Sequence, residues 1–202
     1  MKPTAVIFDV GNVLYGWDPD SFLIRQIADD EARMRFIEDV DLWQWHESLD
    51  GGRPFDEAAA ELSEKFPAYA DLISAWGARF GETIKDPVPE VHAIVDALDA
   101  RGTALYAITN FSADFWTPFV TREHEFFSRF RDIVVSGQEK MLKPDPALYY
   151  LALHRFGLKP GEALFVDDRE INVEGAEAVG MHGHLFTDAG NLRLRLEADG
   201  LL

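Results

Sequence analysis

The sequence predicts an α/β fold in which a parallel sheet is wrapped on both faces by helices and interrupted near its start by a long helical insertion. Three observations predict it. Short β-branched or aromatic runs recur along the chain, helical patterns lie between most of them, and one stretch from Tyr15 to about Pro87 carries helical patterns without a convincing strand. Strands that alternate with helices pair in parallel, because each return to the same sheet edge needs a crossover.

The first run, residues 5–8, is ended by Asp9 and reads as a buried strand, as do residues 104–108, 133–136, 163–166 and 184–186. Between the first two lie helical patterns over residues 22–28, 31–45, 56–66 and 72–80, punctuated by Gly51-Gly52 and ended once by Pro67. A single crossover needs far fewer residues, so residues 16–86 read as an insertion above the carboxyl edge of the sheet. Val91, Ile94, Val95 and Leu98 then follow helical spacing behind Pro89, with Gly102 placed for a left-handed cap. The next helix starts at Asp145-Pro146, where Asp caps free amides and Pro fits the first position, and runs to Phe156 before Gly157. Asp29-Asp30-Glu31 reads as a helix start.

Composition narrows the function classes. With 47% hydrophobic and 12% aromatic residues the chain is no solvated tail, and 202 residues bury roughly 70% of the unfolded surface. There is no cysteine, hence no disulfide framework. The apolar stretch before Asp9 is too short for a signal peptide or spanning helix, so a cytoplasmic protein is expected. The 36 acidic against 19 basic residues, net −17, oppose polyanions, so neither nucleic acid nor membrane is an expected partner. Nothing in the sequence separates a monomer from a homodimer.

Ligands of an open parallel sheet bind outside the carboxyl ends of its strands. There the sequence places Asp9 after the first strand, Thr109-Asn110 after the second, and Asp167-Asp168 after the fourth, with Lys143-Pro144 in the loop after the third. Three converging carboxylates resist joint ionisation unless a cation shares the site. Oxygen ligands without His or Cys suit Mg²⁺, and Lys143 and the Thr109 hydroxyl match the remaining oxygens of a phosphate. The set suits phosphoryl transfer on a small phosphorylated substrate.

In these motifs the sequence resembles the haloacid dehalogenase-like hydrolase superfamily along its whole length. The motifs occur in order: Asp9 in FDVGNVL, Thr109-Asn110 in AITN, Lys143 in MLKPDP, and Asp167-Asp168 in FVDDREINVEGAEAVG. The resemblance implies a Rossmann-like core over residues 1–15 and 87–202 and a small helical cap domain over 16–86. It implies Asp9 as nucleophile forming an aspartyl-phosphate and as metal ligand, the Gly11 carbonyl and Asp168 on the metal, and Asp167 reaching it through water. Gly11-Asn12 and the segment from Trp45-His46-Glu47 to Asp56-Glu57-Ala58 are similar to the branch that includes bacterial α-D-glucose-1-phosphate phosphatase, so a sugar phosphate is the expected substrate.

One position departs from the pattern. Many phosphatases of the superfamily carry a second Asp two residues after the nucleophile as general acid/base, worth about 10²–10⁴-fold in rate, and here Gly11 stands there. His46 or Glu47 of the cap, or an ordered water, are the expected substitutes. Dehalogenases of the superfamily also lack that Asp, but their fourth motif usually lacks the paired carboxylates, so Asp167-Asp168 favours the phosphatase. A receiver module or an inactive phosphate-binding relative is the remaining alternative. Receivers place the acidic pair before the phospho-accepting Asp and have no large insertion.

Overall fold

A computed structural model describes residues 2–202. The main sheet has five parallel strands in the order β5-β4-β1-β6-β7, with β1 (Ala5–Phe8) at the centre, β4 (Ala104–Thr109) and β5 (Asp132–Val135) on one side, and β6 (Ala163–Asp167) and β7 (His182–Leu185) on the other. Side chains alternate across a strand, and both faces of β1 are apolar for that reason. Val6 and Phe8 pack on one face with Val91, Ile94, Val95 and Leu98 of the helix Pro89–Ala100 and with Leu192 and Leu196 of the helix Ala189–Asp199. Ala5 and Ile7 pack on the other with Leu148, Tyr149, Ala152 and Leu153 of the helix Pro146–Phe156 and Ala176 of the helix Glu170–Ala178.

The insertion holds five helices among the described residues, Pro19–Gln26, Asp30–Asp39, Leu42–Asp50, Phe55–Lys65 and Ala70–Ala78. They enclose an apolar centre of their own, with Phe22, Phe36, Leu49, Ile73 and Trp76 fully buried. It is closed from the core side by Phe115, whose ring stacks on Phe80 at 4.2 Å. Four acidic residues cap helix starts, two in the insertion and two in the core: Asp18, Asp29, Asp145 and Asp188 each accept a backbone N–H of the first turn.

Three sequence expectations need correction. Residues 31–45 are not one helix: Asp41, at φ 46°, adopts the left-handed conformation that Asp tolerates better than most residues and separates Asp30–Asp39 from Leu42–Asp50. The boundaries of the insertion do carry strands, β2 (Tyr15–Trp17) and β3 (Ile84–Pro87), which pair antiparallel as a ribbon. The last strand lies at His182–Leu185 instead of residues 184–186. Among the described residues no helix is long and apolar enough to cross a membrane.

Candidate functional site

β1, β4 and β6 end side by side, so the residues at their carboxyl ends meet. Asp9 follows β1, Thr109 closes β4, and Asp167 closes β6 with Asp168 next. Lys143 reaches this edge from the loop that precedes the helix Pro146–Phe156 and is buried there. An ammonium has three N–H bonds to place, and Lys143 Nζ donates to Asp9 Oδ1 at 2.9 Å, Asp167 Oδ2 at 2.7 Å and the Ile108 carbonyl at 3.1 Å. Carboxylate oxygens of Asp9, Asp167 and Asp168 lie within 4.8 Å of one another. The structure therefore brings together every residue that the four motifs contribute.

Asparagines hold this arrangement. Asn110 exchanges two hydrogen bonds with the Lys143 backbone, Nδ2 donating to its carbonyl at 3.0 Å and Oδ1 accepting from its N–H at 2.8 Å. That engagement fixes the lysine loop and leaves one amide hydrogen of Nδ2 for a ligand. Asn172 donates to both oxygens of Asp167, at 3.0 and 3.1 Å. Asn12, at φ 55°, donates to Asp168 Oδ2 at 3.2 Å and accepts from the Trp17 N–H, tying the fourth motif to the ribbon. Its only sequence signal is its place in FDVGNVL. A Cβ on Gly175 would lie 2.9 Å from Pro144 Cβ, so glycine there lets the helix Glu170–Ala178 pass close to the lysine loop.

Electrostatically the site is short of positive charge. Burial pushes the Asp9 carboxyl up to about 7 against the pull of Lys143, with Asp167 adding to the rise. Burial and then Asp167 raise Asp168 as well. Burial alone would lower Lys143, but the carboxylates of Asp9 and Asp167 outweigh it and hold the ammonium charged. Above this cluster opens a cavity of about 660 Å³, walled on the insertion side by Trp17, Trp43, His46, Glu47, Asp50 and Phe80.

A family model for haloacid dehalogenase-like hydrolases matches residues 3–180. The chain belongs to the haloacid dehalogenase-like hydrolase family. Its sequence is 27% identical over 195 residues to the sesquiterpene phosphatase astK of Aspergillus oryzae, covering 92% of this chain and 90% of that one. It is 26% identical over 196 residues to glyceraldehyde 3-phosphate phosphatase of Methanopyrus kandleri, covering 88% and 81%. Among solved structures, a family enzyme from Bacteroides thetaiotaomicron in complex with magnesium and inorganic phosphate superposes with a TM-score of 0.67 at 21% identity, over 93% of this chain and 96% of that one.

For a haloacid dehalogenase-like hydrolase the oxygen-only donor set is suited to Mg²⁺. It offers carboxylates that burial leaves in need of a cation, and no His or Cys joins the cluster among the described residues. Its other sequence-predicted acids fare unequally. Glu47 is exposed. His46 is buried, sandwiched between the rings of Trp17 and Phe80 with centroids at 5.6 and 5.5 Å, and its Nδ1 has no hydrogen-bond partner. Burial pulls its imidazole down to about 4, so at neutral pH it has no proton to lend as an acid.

That burial has a measurable consequence. The folded value lies below the unfolded one, so the unfolded chain binds the extra proton, and stability present above pH 6.5 is lost as the pH falls towards 4. We expect His46→Phe, which keeps a ring in the sandwich, to reduce this acid-side loss by about 2 kcal/mol between pH 7 and pH 4.5. Denaturant melts of both proteins at pH 7 and pH 4.5 measure it, and parallel pH dependences would refute it.

Proposed function

We propose that this chain is a Mg²⁺-dependent phosphomonoesterase that hydrolyses a small phosphorylated metabolite, a sugar monophosphate, through an aspartyl-phosphate on Asp9. The observation that carries this reading is the Lys143 ammonium shared by Asp9 and Asp167 beside Asp168, at the floor of a cavity. Phosphatases among its relatives support the reaction class.

Lys143 holds the Asp9 carboxylate in one orientation, and the Val10 N–H donates to its Oδ1 at 2.7 Å, leaving Oδ2 to attack phosphorus in line. Thr109, buried at the end of β4, and Asn110 face the phosphate oxygens beside Lys143. Asp9, the Gly11 carbonyl and Asp168, with Asp167 through water, would hold Mg²⁺, whose charge offsets that of the phosphate. Water then attacks the aspartyl-phosphate, releasing phosphate and restoring Asp9. The insertion excludes bulk water and selects the leaving group.

We place the boundaries at residues 1–15 and 87–202 for the core and 16–86 for the cap, supported by the ribbon through which the chain enters and leaves. The cap carries 17 acidic and 7 basic residues, net −10, and the remainder net −7. This favours substrates with one phosphate, and the same charge opposes nucleic-acid and anionic-membrane partners; we place the protein in the cytoplasm as a monomer or homodimer. The test is phosphate release from sugar monophosphates and nucleoside triphosphates with Mg²⁺ or with EDTA. Turnover of the monophosphates, lost in EDTA and restored by excess Mg²⁺, is expected. EDTA-insensitive turnover, or a preference for triphosphates, would contradict the reading.

A further inference from the structure

We propose that Asp50, at the end of the cap helix Leu42–Asp50, is the catalytic residue that protonates the leaving-group oxygen, taking the role for which the position of Gly11 carries no side chain. The proposal rests on the phosphomonoesterase reading and deepens it.

Nothing local forbids a carboxylate at Gly11. A Cβ there would meet no atom within 4 Å, and its φ is not among the positive values that favour glycine. The cavity wall offers another carboxyl in its place. Asp50 lines the same cavity as Asp9 and Lys143. Its side chain is only 15% exposed, whereas Glu47, three residues earlier on the same cavity wall, is exposed.

Asp50 is also seated on the core. Ser136 Oγ, from the first residue of the short helix Ser136–Glu139 after β5, donates to its carbonyl at 2.6 Å, and the Ser112 N–H, from the loop after β4, points at its carboxylate. Two residues on, Gly52 sits at φ 95°, and a Cβ there would lie 2.8 Å from the Gly137 carbonyl, so the cap backbone touches the core directly. A donor held by both strand-end segments keeps its place relative to Asp9, as proton transfer to a defined oxygen requires.

The groups that face Asp50 are His46, with Nε2 at 3.7 Å from Oδ2, and Glu47 on its own helix, and Asp9 and Lys143 on the core. Burial, then Glu47 and Asp9, push its carboxyl up to about 7, so a protonated share persists at neutral pH. In the first step Asp9 forms its bond to phosphorus while the bond to the leaving oxygen breaks, and the Asp50 proton moves to that oxygen, leaving a carboxylate. In the second, water attacks phosphorus, its proton passes to Asp50, and Asp9 departs as a carboxylate. Both residues end as they began.

The experiment compares kcat/KM, which reports formation of the aspartyl-phosphate, for 4-nitrophenyl phosphate, whose phenolate leaves without a proton, and for a sugar monophosphate, whose alkoxide does not. The proteins are wild type, Asp50→Asn and Asp50→Ala, all with Mg²⁺. Asn can still accept from Ser112, so Asp50→Asn should melt like wild type. Its kcat/KM should fall about 10²-fold on the sugar phosphate and at least about tenfold less on the aryl ester. An equal fall on both substrates, or wild-type kcat/KM on the sugar phosphate, would overturn the assignment while leaving the phosphatase reading intact. A purely structural Asp50 would give the equal fall in Asp50→Ala and none in Asp50→Asn. A wild type inactive on both substrates would overturn the reading beneath the proposal, and the proposal with it.

Discussion

Asp9→Asn is expected to lower kcat for phosphate release by at least about 10⁴-fold, the scale on which loss of a covalent nucleophile is felt, and to leave the protein folded. The amide keeps an oxygen for the Val10 N–H, and Lys143 retains Asp167 and the Ile108 carbonyl. The sign of the stability change is informative. Burial disfavours the ionised Asp9 carboxyl, so a neutral isostere relieves the fold of a charge it holds at a cost. The variant should therefore melt at or above the wild-type temperature in EDTA while being inactive, a stability gained by surrendering function. Turnover surviving in the purified variant would end the case for Asp9 as nucleophile. A lower melting temperature would show that the carboxylate holds the site together.

Lys143→Met should act in the opposite direction. The ammonium is 1% exposed and Asp167 not at all, so its removal leaves buried carboxylates without their shared cation. Breaking a buried pair from one side costs about 3–5 kcal/mol, and the chain fills the volume without replacing the charge. We expect a loss of that size in EDTA, read by denaturant unfolding, together with loss of phosphate release. Removing the cation pushes the Asp9 carboxyl further up, so part of the loss should be recovered as the pH falls and it takes up a proton. Wild-type stability in the variant would mean that water reaches the cluster and screens it, contrary to its burial.

What the sequence discloses and what it hides follow from how each group does its work. β1, β4 and β6 are legible because they are buried on both faces and read as unbroken apolar runs. β2 and β3 are not: they are short, hold Gly16 and Pro87, and are strands only because each has the other as partner. The break at Asp41 escapes a periodicity argument because one left-handed residue redirects a helix without altering its composition. At the site, Asp9, Thr109, Lys143, Asp167 and Asp168 stand at strand ends or in a motif loop, where topology alone predicts convergence. Asn172 and Asn12 act through the oxygens of other residues, and Asp50 through a contact between the insertion and two segments more than sixty residues away in the chain. Such partners exist only once the sheet has formed. In Leu49-Asp50-Gly51-Gly52 the aspartate reads simply as the end of a helix.

The ribbon of β2 and β3 has a consequence for how such a protein can diversify. Because Tyr15 pairs with Pro87 and Trp17 with Ile84, the chain enters and leaves the insertion at points separated by one strand spacing, about 4.8 Å. Any compact segment whose ends meet at that spacing can be spliced between them without altering the order of the main sheet, since insertions are tolerated where chain ends lie close together. The machinery at the strand ends and the lining that meets the leaving group thus behave as separately exchangeable parts joined at a socket. A chimera that swaps only the segment between the ribbon strands tests whether preference among leaving groups travels with the graft.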